Sequence, residues 1–424
     1  MSEETHSNTR PTVLKGGKLI DGTGNPPLKD AVVIFENSRI KAVGGEDTKI
    51  PSDAEVIDCS DKTIMPGLID AHVHLAAIRS PEAQRNWPLA RVKTTTPLIT
   101  LHAACNARRM LESGFTSCRD MAGPCSSDRN LEILALREAI NLGIMAGPRL
   151  VVSGWVVRTG DEPDLWLLLT IPRMPEYVDI PVSRPVDGIQ QIRKRIREQI
   201  KWGCDVIKIE CSPRITTEEL NAMSDEAHLW GKRFAVHAIT AEETKKAIHA
   251  NADTIEHGTI LDDEAIEMMI KRGVFLVTTM TVYSEKSQER YKAMGVGQSF
   301  IESLKVEGEA YAKSVRKAHE AGVKIVGGTD CSRNLLHGDN AIELELMVEC
   351  GMSEMEAIVA STKTAAEAIG LNETGTLENG KLADIIVVDG DPLKDIKILQ
   401  DRKKILVVIK DGNIQLRRDM RASW

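Results

Sequence analysis

The segment GLIDAHVHL, from Gly67 to Leu75, decides the expected fold of this chain. It has the pattern of a hydrophobic β-strand that ends in two histidines one residue apart. Because side chains at positions i and i+2 of a strand lie on the same face, His72 and His74 are expected to point the same way. Two neighbouring imidazoles in an apolar strand are costly unless something binds them, and a divalent metal ion is the usual partner. An isolated H-x-H pair is a weak signal, so further ligands must come from elsewhere in the chain.

More apolar segments follow this strand and alternate with amphipathic helical stretches such as 185–203 and 216–233. The predicted strands are 67–74, 116–120, 149–153, 205–210, 234–238, 253–257, 274–279 and 323–329. This alternation predicts a parallel sheet closed into an α/β (β/α)8 TIM barrel, which we assign to residues 66–372 as the catalytic domain. An open doubly wound sheet is the alternative, but no G-x-G-x-x-G motif follows the first strand.

Both ends of the chain consist of short segments that alternate apolar and polar residues and are separated by turn residues. TVLKGGKLIDG (12–22) near the start and KKILVVIKDGNIQL (403–416) near the end are examples. We predict that residues 1–65 and 373–424 pair into one small β-sandwich domain built from both termini. The alternative is that each end decorates the barrel separately.

Composition and charge exclude several classes of protein. The chain has 424 residues, 42% of them hydrophobic and 27% charged, and a net charge of −8. No dense Lys/Arg tract is present, so nucleic acid and anionic membranes are not expected partners. The eight cysteines form no C-x-x-C pair, which is typical of reduced thiols. The N-terminus is polar and no apolar run reaches the ~18 residues of a membrane span. These features predict a soluble cytoplasmic enzyme that acts on a small molecule.

The active sites of (β/α)8 barrels lie at the carboxyl ends of the strands. Reading those ends in order gives one set of residues, each at or near a strand end: His72, His74, Lys208, His237, His257 and Asp330. Four histidines, an aspartate and a buried lysine at one barrel mouth are hard to explain as packing residues. They therefore predict a site for divalent metal ions.

The same residues lie in motifs that resemble the amidohydrolase superfamily, in the branch of prolidase-like and imidazolonepropionase-like enzymes. The resemblance covers almost the whole chain and includes PGLIDAHVHL, TSCRDM, DVIKIE, AVHAIT, IEHGT, GGTDCS and GTLENGKLADIIVVDGDPL. It implies two divalent metal ions, for which Zn2+ is our first expectation, and assembly into a homo-oligomer.

By this resemblance, His72, His74 and Asp330 would bind the more buried metal, and His237 and His257 the more exposed one. Lys208 would carry a carbamate, formed with CO2, that bridges both metals. Burial disfavours the charged form of a lysine, and a neutral amine can capture CO2. The alternative for Lys208 is an ordinary ion pair with Glu210.

The implied reaction is attack of a metal-bridging hydroxide on the carbonyl of a C–N bond. Asp330 would take the proton of the hydroxide and deliver it to the leaving nitrogen, as general base and then general acid. Deamination is disfavoured because deaminases on this fold carry a glutamate three residues beyond the histidine of the fifth strand, where this chain has Thr240. A lactonase or phosphotriesterase is a further alternative, and a non-catalytic scaffold is disfavoured because every ligand is retained.

Two departures from the peptidases of the branch bear on the substrate. Those peptidases carry a tyrosine two residues after the histidine of the fifth strand and a Gly-Gly-His after the third strand. Here Ile239 and RTGDEPD stand in those places. Loss of polar contacts weakens binding of a substrate carboxylate. We therefore predict a neutral, partly hydrophobic amide, carbamate or urea as substrate.

Several residues outside the ligand set are assigned roles from sequence. Trp155, on the long segment 154–187 that also carries Trp166 and Tyr177, offers apolar surface for the substrate together with Ile239. Arg158 is expected to replace the lost carboxylate contact if the enzyme is instead an Xaa-Pro or Xaa-Arg dipeptidase or a carboxypeptidase. His337 would touch the substrate or support the loop near Asp330. Asp120 is expected to be structural.

Overall fold

In the computed structural model of the protein, the described residues are 10–79, 83, 90, 94–123, 130–158 and 186–418. Its strands are β1 (Thr12–Leu19), β2 (Leu28–Glu36), β3 (Arg39–Gly44), β4 (Glu55–Asp58), β5 (Thr63–Pro66), β6 (Leu68–Val73), β7 (Phe115–Asp120), β8 (Arg149–Val152), β9 (Val206–Glu210), β10 (Arg233–Ala238), β11 (Thr254–His257), β12 (Phe275–Thr278), β13 (Lys324–Gly327), β14 (Ile385–Val388), β15 (Ile405–Lys410) and β16 (Asn413–Arg417).

The helices of the described ranges lie between and after the parallel strands. They are α1 (Thr96–Glu112), α2 (Leu131–Asn141), α3 (Ile189–Lys201), α4 (Thr217–Leu229), α5 (Ala241–His249), α6 (Asp263–Arg272), α7 (Glu285–Ala293), α8 (Gln298–Ala321), α9 (Ile342–Glu349), α10 (Glu354–Ala360) and α11 (Lys363–Ile369). None of them combines the length and the apolar character that crossing a membrane requires.

Strands from both ends of the chain form one sheet. Its order is β16-β15-β14-β5-β1-β2-β3, with β4 beside β1, and the junction between the two ends is the antiparallel pair of β14 and β5. Alternate residues such as Leu14, Phe35, Ile385 and Val407 are fully or almost fully buried in a common hydrophobic cluster. The predicted pairing of the two ends is therefore present, while the arrangement of this sheet as a two-layer sandwich stays a prediction.

The middle of the chain is an α/β structure with all the predicted strands in place. They form two parallel sheets, β6-β7-β8 and β9-β10-β11-β12-β13 in spatial order. Isolated parallel bridges connect the sheets at both edges, Ser153 with Val206 and Val73 with Cys331. The carboxyl ends of all these strands consequently lie on one side of the structure. The candidate ligands lie at or just after these ends.

Side-chain alternation divides these strands into two buried faces. One face, with Ala71, Val206 and Ala235, packs in a cluster closed by α11. The other face, with residues such as Ile207 and Val236, packs against the surrounding helices. Apolar burial of this kind stabilises by about 1.5–3 kcal/mol per large side chain. The strands are therefore packed on both faces, beneath the side chains at their carboxyl ends.

Candidate metal centre

Three of the predicted ligands meet directly. Nε2 of His74 lies 2.8 Å from Oδ1 of Asp330, and Nε2 of His72 lies 4.0 Å from the same oxygen. The ligand atoms of these three residues all lie within 4.8 Å of one another, which makes them a group that could hold a metal ion. We call them the His–His–Asp group. His72 and His74 therefore point the same way, as the H-x-H spacing predicts.

The other two predicted histidines lie beside this group. The ring centroids of His237 and His257 are 4.4 Å apart, and that of His257 is 5.0 Å from that of His72. Lys208 is buried on β9, and its Nζ has no hydrogen-bond partner among the residues that the structure describes. A buried, unsatisfied amine next to imidazole and carboxylate ligands is consistent with a group that is completed by a metal ion or a modification.

Backbone conformation brings His257 and Asp330 to the site. On β11, Thr254 and Glu256 face the inside of the sheet, so regular alternation would send His257 to the opposite face. His257 instead has a φ of +74°, and Asp330 has a φ of +49°. Left-handed conformations cost of order 1 kcal/mol or more for such residues and are concentrated at functional sites. Here the φ of His257 returns its ring to the face occupied by His237.

Two glycines leave room for the histidine rings. A Cβ atom on Gly328, after β13, would approach the Cβ of His72 to 3.0 Å and a methyl of Val277 to 2.7 Å. A Cβ on Gly123 would lie 2.6 Å from Nδ1 of His74, and the φ of this glycine is +132°. Any larger residue at either position would therefore displace a candidate ligand.

Two buried aspartates accept hydrogen bonds from the loops around the ligands. Asp70 accepts hydrogen bonds from the N–H and hydroxyl of Thr329, at 3.1 and 2.7 Å, and from the amide of Asn340 at 2.7 Å. These bonds tie the first parallel strand to the segment after the last one. Asp120 accepts hydrogen bonds from the N–H groups of Leu75 and Ala122 and from the amide of Asn130. Its contacts are those of the structural residue that we expected.

Burial lowers the pKa of several of these groups. It lowers the pKa of His72 and of His257 well below the ordinary histidine value, so both rings are neutral and able to bind metal. Burial also lowers the pKa of His237. The pKa of Lys208 falls to about 8, again mainly through burial. At pH 7 about a tenth of this amine is thus neutral, far more than for an ordinary lysine.

His74 and Asp330 shift each other's pKa in opposite directions. Burial by itself would lower the pKa of His74, but the hydrogen bond and the charge of Asp330 raise it. Burial by itself would raise the pKa of Asp330, but the hydrogen bond and charge of His74 lower it to about 2. Asp330 is therefore a carboxylate at neutral pH, as either a metal ligand or a proton acceptor must be.

Two residues next to His72 were not predicted from the sequence. Glu256 accepts a hydrogen bond from Nδ1 of His72 at 2.7 Å, and Nη2 of Arg119 lies 2.7 Å from the other oxygen of Glu256. Both side chains are completely buried. An arginine within a predicted buried strand and a glutamate beside the histidine of IEHGT were the available signals, because buried charges need partners.

Three of the residues predicted to bind substrate contact other side chains or lie partly buried in the structure. Arg158 forms an ion pair with Glu210, so the alternative pairing of Glu210 with Lys208 is wrong. Trp155 is buried, and the guanidinium of Arg195 on α3 lies 4.3 Å from its ring centroid. Ile239 is half-buried in the turn before α5, and its N–H donates to Glu243 at 2.8 Å.

His337 is the fourth residue predicted to bind substrate. His337 is fully buried, and its Nδ1 lies 2.6 Å from Nη2 of Arg79. Arg79 also donates from Nε to Asn106 at 2.6 Å. These contacts connect His337 with Arg79 and Asn106, and both roles expected for His337 stay predictions. Trp166 and Tyr177 lie outside the described residues.

Comparison with known proteins identifies the relatives of this chain. An ochratoxinase of Aspergillus niger is 29% identical over 441 residues, covering 95% of this chain and 86% of that protein. The crystal structure of A. niger ochratoxinase has a TM-score of 0.79 at 27% identity and covers 96% of each chain. The structure of a Xaa-Pro dipeptidase with methionine bound in its active site has a TM-score of 0.82 at 32% identity, over 95% of this chain and 99% of that one. The model of the amidohydrolase family matches residues 63–415, and the chain belongs to that family.

Proposed function

We propose that this amidohydrolase uses two divalent metal ions to cleave a C–N bond in a small, neutral and partly hydrophobic amide, carbamate or urea. The observation that carries the proposal is the His–His–Asp group with its ligand atoms within 4.8 Å, next to a second pair of histidines and a buried lysine. The similarity to an ochratoxinase and a Xaa-Pro dipeptidase supports hydrolysis of C–N bonds.

The residues present fit a pair of metal ions. His72, His74 and Asp330 would hold one ion, and His237 and His257 the other. Lys208, whose buried Nζ lacks a hydrogen bond, would carry the carbamate that supplies an anionic oxygen to both. When bound, Zn2+ or a similar ion would act as a Lewis acid on the substrate carbonyl and on water.

A residue of the chain itself, Asp330, would transfer the proton. Asp330 is held as a carboxylate by His74, so it can accept a proton from the attacking water. The same carboxyl would then deliver the proton to the leaving nitrogen, which departs as a neutral amine. Asp330 has a left-handed backbone, with a φ of +49°, and its carboxylate lies within the His–His–Asp group.

A closed (β/α)8 barrel would place these residues at one mouth, and we propose that closure here. The bridges Ser153–Val206 and Val73–Cys331, which connect the two parallel sheets, support it. The domain division into 66–372 and the two terminal segments 1–65 and 373–424 remains part of this proposal. Cytoplasmic location and homo-oligomeric assembly also remain predictions from sequence.

The charge balance of the pocket supports a neutral substrate. Arg158, the residue best placed by sequence to bind a substrate carboxylate, is already compensated by Glu210. Ile239 brings an alkyl group rather than a hydrogen-bond donor to the turn after β10. The second candidate is a dipeptidase, which the 32% identity to the Xaa-Pro dipeptidase structure favours. In that case Arg158 would have to exchange Glu210 for the substrate carboxylate.

A hydrolysis screen distinguishes the two candidates. The zinc-loaded enzyme, produced with bicarbonate, is assayed on acetanilide and on 4-acetamidobenzoate, which carry the same amide without and with a carboxylate. N-Aryl carbamates and phenylureas extend the neutral half of the panel, and Xaa-Pro and Xaa-Arg dipeptides extend the charged half. Faster cleavage of the neutral compounds is expected. Cleavage confined to the carboxylates would replace this proposal by the dipeptidase.

A further inference from the structure

We propose that Arg119 and Glu256 are positioning residues that fix the ring orientation and protonation site of His72 for metal binding. The inference rests on the proposed function, since it concerns one of the proposed ligands. Neither residue touches the His–His–Asp group except through His72. Both side chains are completely buried.

Glu256 is held from two sides. Its Oε2 accepts the hydrogen bond from Nδ1 of His72 at 2.7 Å, and its Oε1 accepts from Nη2 of Arg119 at 2.7 Å. The hydroxyl of Thr254, two residues earlier on the same face of β11, also donates to Oε1. With both oxygens engaged, the carboxylate cannot turn without breaking one charge-assisted bond.

Arg119 is the anchor of this arrangement. Its Nε donates to the carbonyl of Ala71 at 2.7 Å, which is the residue before His72 on β6. Its Nη1 donates to Oγ1 of Thr254 at 3.2 Å. One guanidinium thereby connects β7, β6 and β11, and it compensates the charge that Glu256 would otherwise carry into the interior without a partner.

The consequence for His72 is a defined tautomer. The carboxylate of Glu256 accepts a hydrogen bond from Nδ1 of His72, so Nδ1 carries the proton. Nε2 of His72 then keeps the lone pair that a metal needs. Nε2 faces the His–His–Asp group, 4.0 Å from Oδ1 of Asp330. A carboxylate on the far side of a ligating imidazole also increases its basicity, which strengthens the bond to a metal.

The other histidines have weaker supports. Nδ1 of His74 contacts the backbone carbonyl of Ala122, and Nδ1 of His257 lies 2.7 Å from the hydroxyl of Thr279. Both partners are neutral. The charged support of His72 therefore predicts that the position at the His–His–Asp group binds its metal more tightly than the position at His237 and His257.

Cobalt titration of the metal-free protein tests the inference. Affinity for the first equivalent of Co2+ is measured by competition with a chelating indicator, and the visible absorption of the bound ion is recorded. Glu256→Gln is expected to weaken this affinity by about 10- to 100-fold and to change the spectrum. Glu226→Gln is the matched control, because Glu226 is equally buried and paired with Arg193 and Arg197 away from the site. It should leave both readouts as in the wild type.

Thr254→Val supplies a second variant that preserves the volume of the side chain in case Glu256→Gln does not fold. Loss of its hydroxyl should weaken the first Co2+ affinity by about two- to tenfold. Wild-type affinity and spectrum in a folded Glu256→Gln protein, or in Thr254→Val if only that variant folds, would overturn the inference and leave the proposed function intact. Failure of the wild-type protein to bind Co2+ at all would instead overturn the proposed function.

Discussion

His74 and Asp330 follow the first and the last of the parallel strands, and their side chains meet with Nε2 of the histidine 2.8 Å from Oδ1 of the aspartate. The bond joins two segments that are far apart in the chain. The contact also shifts both pKa values, since Asp330 raises the pKa of His74 and His74 helps to lower the pKa of Asp330 to about 2. The proposed general base is thus held ionised by a neighbouring proposed ligand.

Asp330→Asn removes the proton acceptor while keeping the shape of the side chain. We expect kcat to fall by about 10²- to 10⁴-fold, the usual contribution of general acid–base catalysis, with a smaller change in KM. Asp339→Asn is the control, because Asp339 lies on the same loop and forms ion pairs with Lys286 and Arg402 instead. Steady-state kinetics are measured at equal bound metal. If Asp330→Asn kept the wild-type kcat, as Asp339→Asn is expected to, Asp330 would not be the proton acceptor.

Lys208→Ala removes the buried amine that would carry the carbamate. Activity and metal content should fall together, because the proposed bridging oxygen is lost. Acetate or propionate should restore part of both, since a small carboxylate can occupy the space of the carbamate. Lys246→Ala is the control, as Lys246 lies on α5 and donates to the carbonyl of Pro213. An activity that does not respond to added carboxylate would argue against a carbamate on Lys208.

Ile239→Tyr tests whether the turn after β10 selects against carboxylates. A phenol at this position would return a hydrogen-bond donor to the pocket. We expect kcat/KM for 4-acetamidobenzoate and for Xaa-Pro dipeptides to rise by about tenfold relative to acetanilide, which corresponds to roughly 1.4 kcal/mol. Equal effects on charged and neutral substrates would show that Ile239 does not line the pocket.

The raised pKa of Glu343, a residue outside the candidate metal centre, should make the stability of the protein depend on pH. Burial raises its pKa from 4.5 to about 7, although the N–H groups of Met280 and Thr281 donate to it. The folded state therefore binds this proton more tightly than the unfolded state. The resulting stability is complete below about pH 4.5 and is lost as the pH rises through 7, by on the order of 3 kcal/mol in all.

Glu343→Gln should remove this part of the pH dependence, since an amide does not titrate. Urea unfolding of both proteins at pH 5 and pH 8 gives the free energies of unfolding. The wild type should lose stability relative to the variant between these two pH values, whatever constant offset the amide introduces. Parallel curves for the two proteins would show that Glu343 stays ionised in the folded state.

Sequence periodicity was sufficient for the elements of the middle of the chain. The strand predicted over 205–210 is found as Val206–Glu210, and the helix expected in 216–233 as Thr217–Leu229. The polar residues at the strand ends were also legible, because a histidine or lysine in an apolar strand has few structural explanations. Partners between distant segments were less accessible, as the pairing of Glu210 with Arg158 instead of Lys208 illustrates.

The sequence by itself determined the α/β class, the order of the parallel strands and the residues that could serve as metal ligands, since each of these follows from local patterns of apolar and polar residues. Only the tertiary structure decided how His72 is oriented and how His257 reaches the site. Glu256 and Arg119 come to His72 from other strands, and a φ of +74° reverses the direction that alternation assigns to His257. Both results depend on packing between strands, which overrides the local period of two.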